Sequence, residues 1–145
     1  MPINYWLFAG GVLSGIASLM HIAIIIGGPV WYRFFGASEG MARAAERGAA
    51  YPTIVTLGIA LMLALWSLYG FAGAGLINGV PFLRPALVTI SAIYLTRALA
   101  PIPMLMFAPH KVNAFAVWSS LIVLVYGIAY AVGTWKAWPS LTAAA

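Results

Sequence analysis

Apolar positions run along this chain in four long blocks, and polar positions are confined to the breaks between them. A helix needs about 20 apolar residues to cross a hydrocarbon core of about 30 Å. Blocks at about 5–26, 53–71, 83–105 and 112–134 meet that length. Aromatic residues gather near their ends: Tyr5 and Trp6, Trp31 and Tyr32, Tyr51, Trp66 and Tyr69, then Trp135 and Trp138. Such belts belong at headgroup depth. The pattern predicts an all-α integral membrane protein, a four-transmembrane-helix bundle forming a single domain over residues 1–145.

Small and hydroxyl residues recur at helical spacing inside the blocks, where they let helices approach closely. The first block carries Gly11, Ser14, Gly15 and Ser18, and His21 continues that face toward the bundle interior. Gly27, Gly28 and Pro29 then predict its end, because glycine is weak in helices and proline restricts the residue before it. The second block carries Thr56, Ala60, Ala64 and Ser67, and the third Ala86, Thr89, Ile93, Thr96 and Ala100. Pro85 suits a first helical turn. Pro101 and Pro103 each remove one backbone donor and so free the carbonyls of Arg97 and Leu99. The fourth block repeats Asn113, Ser120, Gly127 and Thr134, and the tail after Trp138 reads as disordered.

One segment, 31–52, looks at home in water. It holds both acidic residues, Glu39 and Glu46, and three basic ones, Arg33, Arg43 and Arg47. Ser38 reads as the N-cap of a short helix, with Glu39 in its first turn, Arg47 in its last and Gly48 as its stop. Glu39–Arg43 and Arg43–Glu46 have the spacing of helical ion pairs. Preceded by Trp31, Tyr32, Phe34 and Phe35, this segment reads as a short interfacial helix between the first two spans.

Composition removes the soluble alternatives. Charged residues are 6% of the chain, against roughly 25% in ordinary soluble domains. Hydrophobic residues are 64% and the mean hydropathy is +1.02. The net charge of +5 is not clustered with interleaved aromatics, so nucleic acid is not an expected partner. Anionic lipid headgroups account for the basic balance. With no cysteine there is no thiolate chemistry or disulfide. The first residues carry no basic side chain and no cleavage site follows a short apolar core, so the first block reads as a retained helix. Arg33, Arg43, Arg47, Arg97 and Lys111 fall toward the first and third loops, with Arg84 and Lys136 on the other side. This bias predicts both termini outside the cytoplasm.

Few residues carry chemistry. Arginine at a helix centre costs roughly 2.5–3.5 kcal/mol on insertion scales, so Arg97 reads either as an anion or headgroup site with Tyr94 beside it, or as a snorkelling arginine paired with Glu39 or Glu46. His21 reads as a proton relay, or a metal or haem ligand, or as a hydrogen bond across a helix interface. His110 lies in a loop, shallower than His21. Glu39 and Glu46 stand two turns apart, roughly 10 Å, which suits a solvated face better than paired-carboxylate catalysis. The predicted ligand-binding set is therefore His21, Tyr94, Arg97, Glu39 and Arg43, at one cytoplasmic-side cleft.

The run Phe34-Phe35-Gly36-Ala37-Ser38-Glu39, with the four-span layout around it, resembles the small DoxX-like bacterial inner-membrane proteins. These have four helices and a short amphipathic stretch after the first, and some are linked to quinone-dependent oxidation complexes. The resemblance implies a bacterial inner-membrane location and a lipid or quinone environment, and places no site residue. The expected function is a non-enzymatic binding or accessory subunit holding a lipid, quinone or small anion. Two alternatives stand beside it. One is an assembly partner, as a homo-oligomer or within a larger membrane complex, and the other a haem- or proton-linked electron-transfer or transport protein.

Overall fold

Lipid offers backbone amides and carbonyls no partner, so each apolar block must satisfy them internally, and a helix does this. The computed structural model describes residues 3–143 and is 83% helix, with no strand among the described residues. The helices are α1 (Tyr5–Phe34), α2 (Glu39–Glu46), α3 (Tyr51–Gly73), α4 (Leu83–Leu99), α5 (Pro101–Phe107) and α6 (Ala114–Ala143), with a single 3₁₀ turn at Pro109–Lys111. Ala100, between α4 and α5, keeps helical dihedrals. Among the described residues four stretches are long and apolar enough to cross a membrane: Tyr5–Phe34, Tyr51–Gly73, Leu83–Phe107 and Ala114–Leu141. This is the pattern of a multi-pass membrane protein.

The helix ends are closed by local chemistry. Asn4 caps α1, its Oδ1 accepting from the Leu7 amide at 3.2 Å, and Asn113 caps α6 through the Ala116 amide at 2.8 Å. Ser38 caps α2 as the sequence predicts, accepting from the Met41 amide. Three helices stop at glycines with positive φ, namely Gly36, Gly48 and Gly75. In each case the next amide bonds back to the carbonyl five residues earlier: Ala37 to Tyr32, Ala49 to Ala44, and Leu76 to Phe71. These are Schellman closures.

The end of the first helix expected at 27–29 is present as a break inside Tyr5–Phe34, with a second helical segment beyond it. Gly28 adopts φ 65° and ψ −150°, a conformation that is essentially glycine's alone, and the helix resumes over 29–34. Pro29 is tolerated because it opens the new segment, where its missing N–H has no helical partner to lose. The tail is not disordered up to Ala143: α6 runs through Pro139, and Leu141 is buried. Residues 144–145 of that expected tail lie outside the described residues.

Contacts gather into two compact units, one formed by the chain up to Leu13 with Trp66 onward, the other by Ser14–Leu65. In the first, Leu7, Leu87 and Tyr130 have no exposed surface. Glycines make this packing close. A Cβ on Gly70 would lie 2.7 Å from the Gly11 Cα, and one on Gly133 2.6 Å from the Leu7 Cγ. Hydrogen bonds to carbonyls hold the same helices: Ser67 Oγ donates to Gly11 O and Tyr130 OH to Trp66 O, each at 2.7 Å, and Asn4 Nδ2 donates to Gly133 O at 2.8 Å. Helices α4 and α6 are antiparallel, since Tyr94 meets Tyr126 and Tyr130 while Arg84 meets Trp138.

In the second unit Ser18 Oγ donates to Ala60 O at 2.7 Å, and Ile24, Tyr32 and Ala42 form a small core with Phe35 and Met41 against it. The predicted faces of the first and fourth blocks are inward, with Ser14, Ser18, Ser120 and Thr134 all buried. In the second block Thr56, Ala60 and Ser67 are buried but Ala64 is exposed, and Leu63 takes its place as the 3.6-residue period requires. The third block is reversed. Its buried face is Leu87, Ile90, Ser91, Tyr94 and Ala98, and the expected stripe of Thr89, Ile93 and Thr96 is exposed.

Gly70 and Gly58 both lie on α3, and nothing stands within 4 Å of a Cβ on Gly58. Gly70→Ala is expected to destabilise the protein by about 1–3 kcal/mol through overpacking against backbone. Gly58→Ala is expected to leave the melting temperature in detergent unchanged or slightly raised. Thermal unfolding followed by intrinsic tryptophan fluorescence measures both, and equal melting temperatures for the two variants would contradict the close α1–α3 contact.

Candidate functional site

Within Ser14–Leu65, Arg33, Glu39, Arg43 and Glu46 form a clasp. Arg33 lies in the last turn of the segment that follows Gly28, and the Gly36 turn sends the chain back into α2. The Arg33 guanidinium then takes both carboxylates of the chain. Its Nη2 and Nε donate to the two oxygens of Glu39 at 2.9 and 3.1 Å, and its Nη1 donates to Glu46 Oε1 at 2.7 Å. Arg43 Nε adds a bond to Glu39 Oε1 at 3.2 Å. The predicted Glu39–Arg43 pair is therefore formed, whereas Glu46 is held by Arg33 instead of Arg43. A planar fork suits this two-oxygen grip. Hydrogen bonding from Arg33 holds the Glu39 carboxyl down at about 2 and also lowers that of Glu46. The side chains are 39–66% exposed, so the clasp fixes α2 more than it adds stability.

His21 belongs to the same unit and is half-buried. Its Nδ1 lies 2.7 Å from the Ala17 carbonyl, one turn back on its own helix. A carbonyl only accepts, so the Nδ1 N–H is the donor of this bond. The expected bond across a helix interface is replaced by this local one. His110 is exposed, in the 3₁₀ turn. Among the described residues no three His, Cys, Asp or Glu side chains come together.

Tyr94 and Arg97 belong to the other unit, and their roles diverge. Tyr94 is buried in an aromatic core, edge-on to Trp66 and Tyr126 with ring centroids at 4.9 and 5.5 Å, and tilted against Tyr130 at 5.6 Å. Arg97 is exposed near the middle of the third span. Its Nη1 donates to Ser120 Oγ at 2.9 Å and its Nη2 to Ser119 Oγ at 3.4 Å. Both partners are neutral hydroxyls, and both glutamates are already engaged at Arg33. The reading of Arg97 as the partner of Glu39 or Glu46 is thus replaced by a serine pair on α6.

Beside Arg97 runs a groove of about 520 Å³, lined by Val88, Thr89, Ala92, Ile93, Thr96 and Arg97 with Ala100. This is the exposed small-residue stripe of α4, and sequence reasoning assigned it to the interior. The signal that places it correctly is Leu87, Ile90, Tyr94 and Ala98, a bulkier periodic set on the opposite face. Ser120 was read only as part of the fourth block's packing face and Ser119 was not singled out, because serine is common in spanning helices and nothing local marks it as the partner of an arginine 22 or 23 residues away.

Arg33→Gln is expected to let both carboxyls rise toward the ordinary glutamate value near 4.5, Glu46 fully and Glu39 partly, since Arg43 remains. The lowered carboxyls stabilise the clasp above about 4.5, and that contribution disappears as pH falls toward 2, the value at which Glu39 protonates. In the variant the loss moves up to higher pH. Carbon-13 NMR of glutamate-labelled protein, with only two side chains to resolve, reads both titrations. Unshifted curves would dissolve the clasp. Compared with protein-family models, with curated proteins and with solved structures, the chain shows no significant match.

Proposed function

We propose that this protein is a non-enzymatic binding or accessory subunit of the bacterial inner membrane, with both termini outside the cytoplasm. Its four spans form a bundle with α2 lying at the interface. It holds the polar head of a lipid, a quinone or a small anion at Arg97, with the apolar part of the ligand along the outward stripe of α4.

The observation that carries this reading is the state of Arg97. A guanidinium has five donors, and here two serine hydroxyls are its partners. It sits at a depth where an unpaired cation is costly. An anionic or carbonyl-bearing head beside it supplies the missing acceptors, and the groove gives the attached chain a bed of alanine and threonine. Tyr94 shapes this bed from behind, by fixing the face that α4 turns inward. In this reading His21, Glu39 and Arg43 do not touch the ligand, and the clasp positions α2 at the headgroups. The layout of spans with α2 after the first keeps the DoxX-like resemblance within the proposal.

The reading is tested by native mass spectrometry of protein released from nanodiscs made with its natural lipids. Wild-type protein is expected to keep an added mass of an anionic or carbonyl-bearing amphiphile. Arg97→Gln is expected to lose at least about 90% of it, a difference of roughly 1.4 kcal/mol or more, with helicity by circular dichroism unchanged. A bare wild-type protein, or retention unaffected by the substitution, would overturn the proposal.

A further inference from the structure

Arg84, thirteen residues before Arg97 in α4, is a second guanidinium with no carboxylate acceptor among the described residues. Its contact is a cation–π one, with Cζ 4.0 Å from the centre of a Trp138 ring. Among the described residues it has no hydrogen-bond or carboxylate partner. Arg84 lines a cavity of about 500 Å³ together with Asn78, Gly79, Val80 and Phe82. Trp138, beneath the guanidinium, lines a separate groove of about 480 Å³ between α4 and α6, with Val88, Ser91, Ala131, Thr134 and Trp135. The Arg84–Trp138 pair therefore stands where a cavity bordered by a charged group and loop backbone meets a mostly apolar trough. That is the shape of an amphiphile.

A second observation lies in the trough. Thr134 is 5% exposed, and its hydroxyl has no hydrogen-bond partner. A threonine in a helix ordinarily bonds the carbonyl one turn back, and an unmade bond of this kind is costly in a dry surrounding. A one-third turn about χ1 carries the hydroxyl to another staggered position, and threonine populates two such rotamers in helices. Thr134 is one turn, about 6 Å, from Trp138 along α6. In a glycerophospholipid the nearer ester carbonyl follows the phosphate at a similar separation.

We infer that this end of the protein is a specific site for an anionic diacyl phospholipid. The phosphate lies in the loop cavity and accepts hydrogen bonds from Arg84. One ester carbonyl accepts the Thr134 hydroxyl, and the acyl chain runs along Val88 and Ala131. Arg84 is held ready by the Trp138 ring, so little side-chain freedom is lost when the phosphate arrives. This site stands apart from the one at Arg97 and uses none of its donors.

The experiment uses nanodiscs of equal parts phosphatidylglycerol and phosphatidylcholine, with native mass spectrometry of the released protein. Wild-type protein is expected to retain phosphatidylglycerol over phosphatidylcholine by about tenfold, and Arg84→Gln to lose that preference. Thr134→Val is expected to lower retention about threefold to tenfold, the worth of one hydrogen bond. The same reduction is expected for wild-type protein when ether-linked phosphatidylglycerol, which lacks the ester carbonyl, replaces the diester. Thr134→Val should not distinguish ester from ether. The ether comparison needs no substitution, so it stands even where a variant misfolds. Equal retention of ester and ether lipid by wild-type protein would overturn the inference. So would an Arg97→Gln variant that loses phosphatidylglycerol as fully as Arg84→Gln does, an outcome that leaves the Arg97 reading in place.

Discussion

Gly70 lies so close to Gly11 that a single added methyl would strike backbone. The rest of the Trp66-onward unit depends on this contact. Lipid tails are as apolar as leucine, so burying leucine brings little gain between spanning helices. What remains is dispersion at short range and hydrogen bonds to carbonyls. The two work together here, because the close approach brings Ser67 Oγ to the Gly11 carbonyl. Gly133 against Leu7 repeats the device on α6. With those helices in place, Tyr130 reaches the Trp66 carbonyl and presents its ring to Tyr94. Tyr94 in turn decides which face α4 turns inward and which it leaves to lipid.

Charge is distributed with equal economy. The chain has two carboxylates, and one arginine holds both. This arrangement gives α2 a fixed place after the Gly36 turn, and it leaves α4 with two arginines whose partners are serine hydroxyls and an indole ring. A soluble protein would leave such groups to water. At membrane depth the available acceptors are lipid phosphates, ester carbonyls and small anions, so the shortage of carboxylates shapes what the α4 surface can bind.

Much of the helical content was legible in the sequence because its cause is local. Block length predicted the spans, and Ser38 with Gly48 marked the ends of α2. The wrong readings share a different cause. The α4 stripe was assigned inward because small residues signal packing, yet Leu87, Ile90 and Tyr94 compete for the same core with more surface to bury. The tail after Trp138 was read as disordered, yet α6 continues through Pro139, whereas the break expected at Gly28 and Pro29 is real and the chain returns to helix after it because proline suits a new first turn. The Arg33 clasp spans 13 residues and depends on how the Gly36 turn aims the chain, which no helical spacing rule encodes. The Arg97–Ser120 bond joins two spans and rests on their antiparallel register. Register of that kind is written in packing, at Gly127 against Leu95 and Tyr94 against Tyr126, and not in any single motif.

The contrast between Arg33 and the arginines of α4 has a physical consequence. Arg33 is charge-compensated: each of its three nitrogens meets a carboxylate oxygen, and a further anion there would face two carboxylates already in place. Arg97 and Arg84 carry the same charge with neutral partners, so an arriving anion displaces nothing stronger than a hydroxyl bond or a ring face. Hydrogen bonds to charged acceptors are roughly twice as strong as neutral ones. Exchange at α4 is therefore favourable where exchange at Arg33 is not. The difference follows from partner chemistry alone, and it is the reason the proposed binding falls on the helix whose outward face is lined by alanine, threonine and valine, side chains small enough to leave room for a chain beside them.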